Sequence, residues 1–211
     1  MVDLCIFPIP GCVTFPGTVF PLHVFEPRYR SMMYHCLEHK QPVAICHTRS
    51  LLSEGKDHAS LQESLNANQA TYRPYDVVSA GLCELKEITA DGRLLIYVHI
   101  DQRYRIIKQT QMLPYQVFQA EVFPDCKADD HQQRDNALLK EKILHRLEVI
   151  GHDLEGVQEV LQSEQWQQKS AERFSFELFG LIRFDADLMQ QILEMNSVRQ
   201  RLSFTLDLLN Q

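Results

Sequence analysis

Prolines crowd the start of this chain. In LCIFPIPGCVTFPGTVFPL (residues 4–22), Pro8, Pro10, Pro16 and Pro21 each fix φ and lack a backbone N–H. Such a residue cannot give its ladder hydrogen bond in the middle of a central strand, whereas strand starts, edges and bulges tolerate it. The stretch therefore predicts an N-terminal sheet that bends often, with short strands over 2–8 and 19–25. Glu26-Pro27 then reads as a helix start. Glu26 sets an acidic group at the positive end of the helix, and Pro27 fits the first helical position, where a missing N–H costs nothing. Tyr29, Met32, Met33, Cys36 and Leu37 follow at helical spacing on one apolar face, with Arg28, Arg30 and Glu38 off that stripe.

Downstream, VAICHT (43–48) predicts a strand, and 49–74 a long polar loop with a short helix at 60–65. VVSAGLCELKEIT (77–89) and LLIYVHI (94–100) flank Asp91-Gly92, a short-range hairpin signal. RYRIIKQ (103–109) continues or bends the second strand, and 115–123 adds one more with clean alternation. The period then changes. Residues 124–135 read as a polar linker. Leu139, Ile143, Leu147 and Ile150 mark a helical face closed by Gly151, and Phe174, Leu178 and Leu181 mark another over 170–182. Asp185 is an N-cap for the next helix. Ser197 with Gln200 makes a capping box for a last one, carrying Val198, Leu202, Thr205 and Leu209. Trp166 falls in a connection. The fold class is α+β: a β-rich subdomain at 1–124 and a helical bundle at 125–211.

Charge excludes one class of partner. Residues 1–124 hold 11 Lys/Arg against 12 Asp/Glu, and residues 125–211 hold 10 against 16, so the net charge of −7 resides mostly in the second half. Phosphate backbones find no electrostatic foothold there, and nucleic acid is not an expected partner. No run approaches the roughly 20 apolar residues of a membrane helix. Asp3 stands where a signal peptide would be positive, so a cytoplasmic location without a membrane partner is expected. The six cysteines show no CxxC spacing and read as reduced, mostly buried thiols.

The search for chemistry excludes more than it finds. There is no P-loop, no GxGxxG and no GxSxG elbow. His35-Cys36-x-x-His39 with Cys46-His47 is the best metal candidate, since histidines four apart share a helix face. Cys36 lies on the apolar stripe, however, and His35 and His39 suit the negative helix C-terminus, so no metal and no cofactor is expected. Arg103, Arg105, Tyr97 and Tyr104 read as a solvated strand face rather than a nucleic-acid surface. A sheet broken by prolines exposes edges that accept an extended peptide. Phe7, Phe15, Val19, Phe20 and Phe25 are the large apolar residues to divide between core and surface.

IFPIPGCVTFPGTVFPLHVFEPRYRSMM resembles the opening of the Lon protease N-terminal, substrate-binding domain, with its Phe-Pro-Gly step and Pro-Leu strand. Gly81, Ile88, Asp91, Gly92, Arg103 and Ile106 are similar to that family's hairpin, and Gln191, Leu193, Glu194, Arg201 and Leu202 to its last helices. Asp101 departs from a position that is usually glycine, and Phe-Glu-Pro-Arg-Tyr-Arg looks more like the stand-alone Lon-domain and cereblon-type proteins. The resemblance implies a PUA-like β pseudo-barrel with one helix, followed by a C-terminal helical bundle. It implies a non-catalytic module binding unfolded polypeptides or a protein partner, with an adaptor role in proteolysis or protein quality control. Phe15, Pro16, Phe20, Phe25, Arg28 and Arg103 are the candidate peptide-binding residues, joined by the cleft between subdomains. An enzyme or small-molecule binder using that cleft, and a PUA-like RNA binder, are the alternatives. Monomer and homodimer both stay open.

Overall fold

The computed structural model describes residues 1–53, 70–151 and 156–211, and these divide into two units, Met1–Phe123 and Pro124–Gln211. The first unit contains β1 (Val2–Pro8), β2 (Thr18–Val24), α1 (Pro27–His39), β3 (Val43–Cys46), β4 (Thr48–Ser53), β5 (Thr71–Pro74), β6 (Val77–Ile88), β7 (Leu94–Gln111) and β8 (Val117–Val122). Strands β4 and β5 pair with each other as a separate two-stranded sheet. They lie where the sequence predicts only loop, because β4 is largely exposed on both faces and so shows no alternation. The helix expected at 60–65 falls outside the described residues.

The other six strands run in the order β2-β7-β6-β3-β1-β8, and β8 returns to pair with β7. Only β1 and β3 are parallel. One long strand makes this closure possible. Residues 94–100 of β7 pair with β2, and residues 104–111 pair with β8. Between them lies Asp101, which has no partner on β6, since Ala80 pairs with Gln102 and Gly81 with Ile100. One extra residue bends a strand and moves its side chains to the other face. Leu94, Ile96, Val98 and Ile100 accordingly pack with α1 in one core, together with Cys5, Val43, Ile45, Met32 and Met33. Beyond the bulge, Tyr104 and Ile106 join a second core of Leu4, Ile6, Ala44, Val78, Ala80 and Ala120. The departure noted at Asp101 is this corner. Gly81 faces it so closely that a Cβ there would lie 1.7 Å from the His99 carbonyl oxygen.

The prolines occupy the places their chemistry allows. Pro8 closes β1, and Pro21 sits mid-way along β2, a strand at the end of the sheet order. Pro27 opens α1 after the extended Glu26.

The second unit contains α2 (Asp130–Ile150), α3 (Val157–Gln162), α4 (Glu164–Gln167), α5 (Ala171–Glu177) continued by a 3₁₀ turn (Leu178–Gly180), α6 (Ala186–Glu194) and α7 (Val198–Leu209). Helix α2 begins within the expected linker. Asp129 accepts from the Gln132 N–H while the Gln132 side chain accepts from the Asp129 N–H, a capping box legible as D-x-x-Q. The Asp185 and Ser197 side chains cap α6 and α7 as anticipated. Ile143, Leu147, Leu161, Phe174, Leu178, Val198 and Leu202 form the core. Among the described residues no helix is long and apolar enough to cross a membrane.

Candidate functional site

Proline placement also shapes a groove. Pro8 ends β1, and Ile9 and Pro10 carry the chain onward. β2 ends at Val24, and Phe25 and Glu26 lead into α1. These two strand ends, with the first turn of α1 and with Ala70 and Tyr72, enclose about 340 Å³. Phe7, Ile9, Leu22 and Phe25 give it a mainly apolar surface.

One wall is polar and held rigidly. Arg28 is only 8% exposed. Its Nε donates to Glu26 Oε2 at 3.0 Å, Nη1 to Thr71 Oγ1 at 3.0 Å and Nη2 to the Ala70 carbonyl at 2.9 Å. Its guanidinium carbon stands 4.6 Å above the Tyr29 ring, which stacks on Phe7 at 4.3 Å. A cation leaves water cheaply only when its donors are matched, and the planar guanidinium meets three acceptors here. Arg28 therefore belongs to the buried face of α1, not off it as periodicity suggests. Burial raises the Tyr29 phenol above its usual range; Arg28 opposes this shift and Glu26 adds to it. The groove can bury an apolar side chain beside fixed dipoles.

Beside it, β2 pairs with β7 alone among the described residues. Val19, Pro21 and His23 are exposed while Leu22 and Val24 are buried. Pro21 has no N–H to offer an added strand, so this edge is interrupted half-way along.

The six residues named from sequence are not brought together. Phe25 and Arg28 line the groove. Phe15 is 2% exposed and belongs to the interior. Phe20 packs half-buried against the α1-side core, and Pro16 is half-buried. Arg103 is buried rather than on a solvated face, with its guanidinium 4.8 Å from the Phe123 ring centroid, and Arg105 stacks on that same ring at 4.7 Å. Phe7, Ile9, Tyr29 and Tyr72, which are not among the six, also line the groove. The Pro8 and Pro10 that flank Ile9 were the one available signal.

The histidines of the metal candidate are engaged locally. His35 Nε2 pairs with Gln41 Oε1 at 2.8 Å, His39 Nδ1 with the His35 carbonyl at 3.0 Å, and His47 Nδ1 accepts from the Gly11 N–H at 2.9 Å. All six cysteines are free thiols, four of them buried. Burial pushes the Cys83 thiol up to about 12, with Cys5 adding to the shift.

A search of curated proteins finds no match. Solved structures with this fold include the N-terminal domain of a Lon protease from the Mycobacterium avium complex, at TM-score 0.70 and 13% identity, covering 99% of this chain and 98% of that one. A Lon N-terminal domain protein from Xanthomonas campestris matches at TM-score 0.63 and 17% identity, covering 98% of each. At these identities the likeness concerns the fold. The model of the ATP-dependent protease La (LON) substrate-binding domain matches residues 3–211, and the chain belongs to that family.

Proposed function

We propose that this chain is a non-catalytic polypeptide-binding module that acts as an adaptor in proteolysis or protein quality control. Its β-rich unit takes an apolar side chain of an extended segment into the groove between the ends of β1 and β2. The carrying observation is the Arg28 network. Glu26, Thr71 and Ala70 hold the wall in place, so a ligand does not have to order it. Membership in a substrate-binding family supports protein substrates as the ligand class.

Fluorescence anisotropy with a reduced, carboxymethylated and therefore unfolded protein tests this reading. Phe25 is half-buried in the groove wall, so Phe25→Asp should lose one apolar contact and weaken binding by about tenfold or more. Tyr72→Asp, also in the groove lining, should act in the same direction. Unchanged affinity in both variants, with native circular dichroism, would remove the groove from the function.

A further inference from the structure

The longest strand of the β-rich unit outruns its neighbour. Strand β6 begins at Val77, opposite Arg105, and just before it the Asp76 carbonyl accepts from the Ile106 N–H at 2.8 Å. Lys108, Gln109 and Gln111 pair with β8 alone. From residue 108 to residue 111 the other edge of β7 therefore carries no strand among the described residues. Backbone groups on such an edge are already held in strand geometry, and they accept an added strand.

Across that edge stands the separate two-stranded sheet. Leu52 of β4 and Arg73 and Pro74 of β5 share with Ile107, Lys108 and Gln109 of β7 a groove of about 360 Å³. Leu52 and Ile107 are 48% and 52% exposed, although both are aliphatic. A strand laid along the edge would take both out of water.

Charge decides which strand fits. Asp76 is the acidic residue of the lining, and Arg49 already pairs with it at 3.3 Å. Arg73 and Lys108 are exposed and have no carboxylate partner among the described residues. A lysine on a sheet edge opposes pairing with basic or wholly apolar strands, whereas a carboxylate on the incoming strand is attracted to it. A polyphosphate would match the two cations but leave the aliphatic side chains and the bare main chain uncovered.

We propose that this groove docks an extended acidic segment of a partner protein, which adds as a strand to residues 108–111 of β7. The segment's main chain pairs with the bare edge. Its carboxylates lie against Arg73 and Lys108, and its apolar side chains cover Leu52 and Ile107. The site is separate from the groove between the ends of β1 and β2 and does not rest on it.

Fluorescence anisotropy with a labelled, capped heptapeptide of alternating Glu and Val tests the proposal on the whole chain. This peptide should bind saturably and lose affinity as salt is added. The Lys/Val counterpart should not bind, and neither should the Glu/Val peptide N-methylated along its backbone. On binding, hydrogen exchange should slow at residues 108–111 and stay unchanged in β3. These arms use the wild-type protein and need no variant to fold. Arg73→Glu and Lys108→Glu alter exposed side chains, and each should weaken binding about fivefold, the double variant by more than about tenfold. Phe25→Asp should bind the acidic peptide as the wild type does, which separates this site from the groove at β1 and β2.

Any of four results would overturn the proposal: no saturation at millimolar peptide, equal binding of the N-methylated peptide, unchanged exchange at 108–111, or wild-type affinity in the double variant with native circular dichroism. Two further results would assign the groove to another occupant and overturn it equally. One is polyphosphate binding that Arg73→Glu abolishes and the Glu/Val peptide cannot displace. The other is self-association of the chain, read by sedimentation, that the double variant abolishes.

Discussion

Both units have apolar cores, and they differ in how their buried charges are matched. In the β-rich unit the core clusters are aliphatic, aromatic and thiol, the Arg28–Glu26 pair sits at the groove, and buried Arg103 lies against the Phe123 ring. In the helical unit charges enter the interior. Arg201 has no exposed surface and is held by Asp125, by Ser175 Oγ and by the Met195 carbonyl, with the Phe176 ring 3.9 Å away. Lys140 donates to the carbonyls of Gln167 and Lys169, and Lys169 pairs with Glu177 at 2.6 Å. Short helices leave carbonyls unmatched at their ends, and buried cations can satisfy several at once. Long strands match their own backbone and need no such help. The β-rich unit is therefore specified by alternation and bulges, the helical unit by cations placed at helix ends.

That contrast can be broken at single residues. The largest effect is expected at Gly81, where a methyl group would enter the His99 carbonyl and force β6 from β7 at the bulge. Gly81→Ala should cost on the order of 4 kcal/mol, at the upper end for a steric clash in a packed interior, read from urea unfolding. A neutral result would mean that the corner at Asp101 can move, and that bulge geometry does not specify this unit. Arg201→Ala comes next. Removing one partner of a buried pair strands the Asp125 charge and should cost about 3–5 kcal/mol. Hydrogen exchange should then show protection lost in the helical unit while β1, β3 and β6 keep theirs. Uniform loss across the chain would show that the two units unfold together.

The smallest effect sharpens the comparison through pH. Tyr29 has a phenol pKa raised above its usual value of 10.0 by burial. Below pH 10 the phenol is neutral in the folded and unfolded states alike, and its contribution is complete. As pH rises past 10 the unfolded chain ionises first, so stability falls with further increase. Tyr29→Phe should flatten that alkaline decline with little change at neutral pH. If wild type and variant decline in parallel, titration of Tyr29 does not govern the alkaline limit.

Local signals in the chain were readable where one short segment contained both halves of an interaction. Asp185 and Ser197 mark helix starts because a cap and its N–H lie within a few residues, and Pro27 marks one because its fixed φ suits the first helical position. Asp129-x-x-Gln132 carries the same signal within a polar stretch that otherwise reads as linker. The groove was only half legible. Phe25 and Arg28 could be named, but Phe7, Ile9 and Tyr72 join them from separate segments. The burial of Arg201 is not legible locally, because its partner Asp125 lies 76 residues away in the chain.

From the amino-acid order alone came the α+β class, the hairpin at Asp91-Gly92, the proline-bent opening and the family likeness. All of these depend on neighbours close along the chain, on periodicity or on motif spacing. Tertiary structure alone decided which phenylalanines are core, that Arg28, Arg103 and Arg201 leave the surface, and that Asn136 is buried with its Oδ1 unmatched among the described residues. Burial of a polar group is set by whether a complementary atom arrives from elsewhere in the fold, and residues near it in sequence do not carry that information.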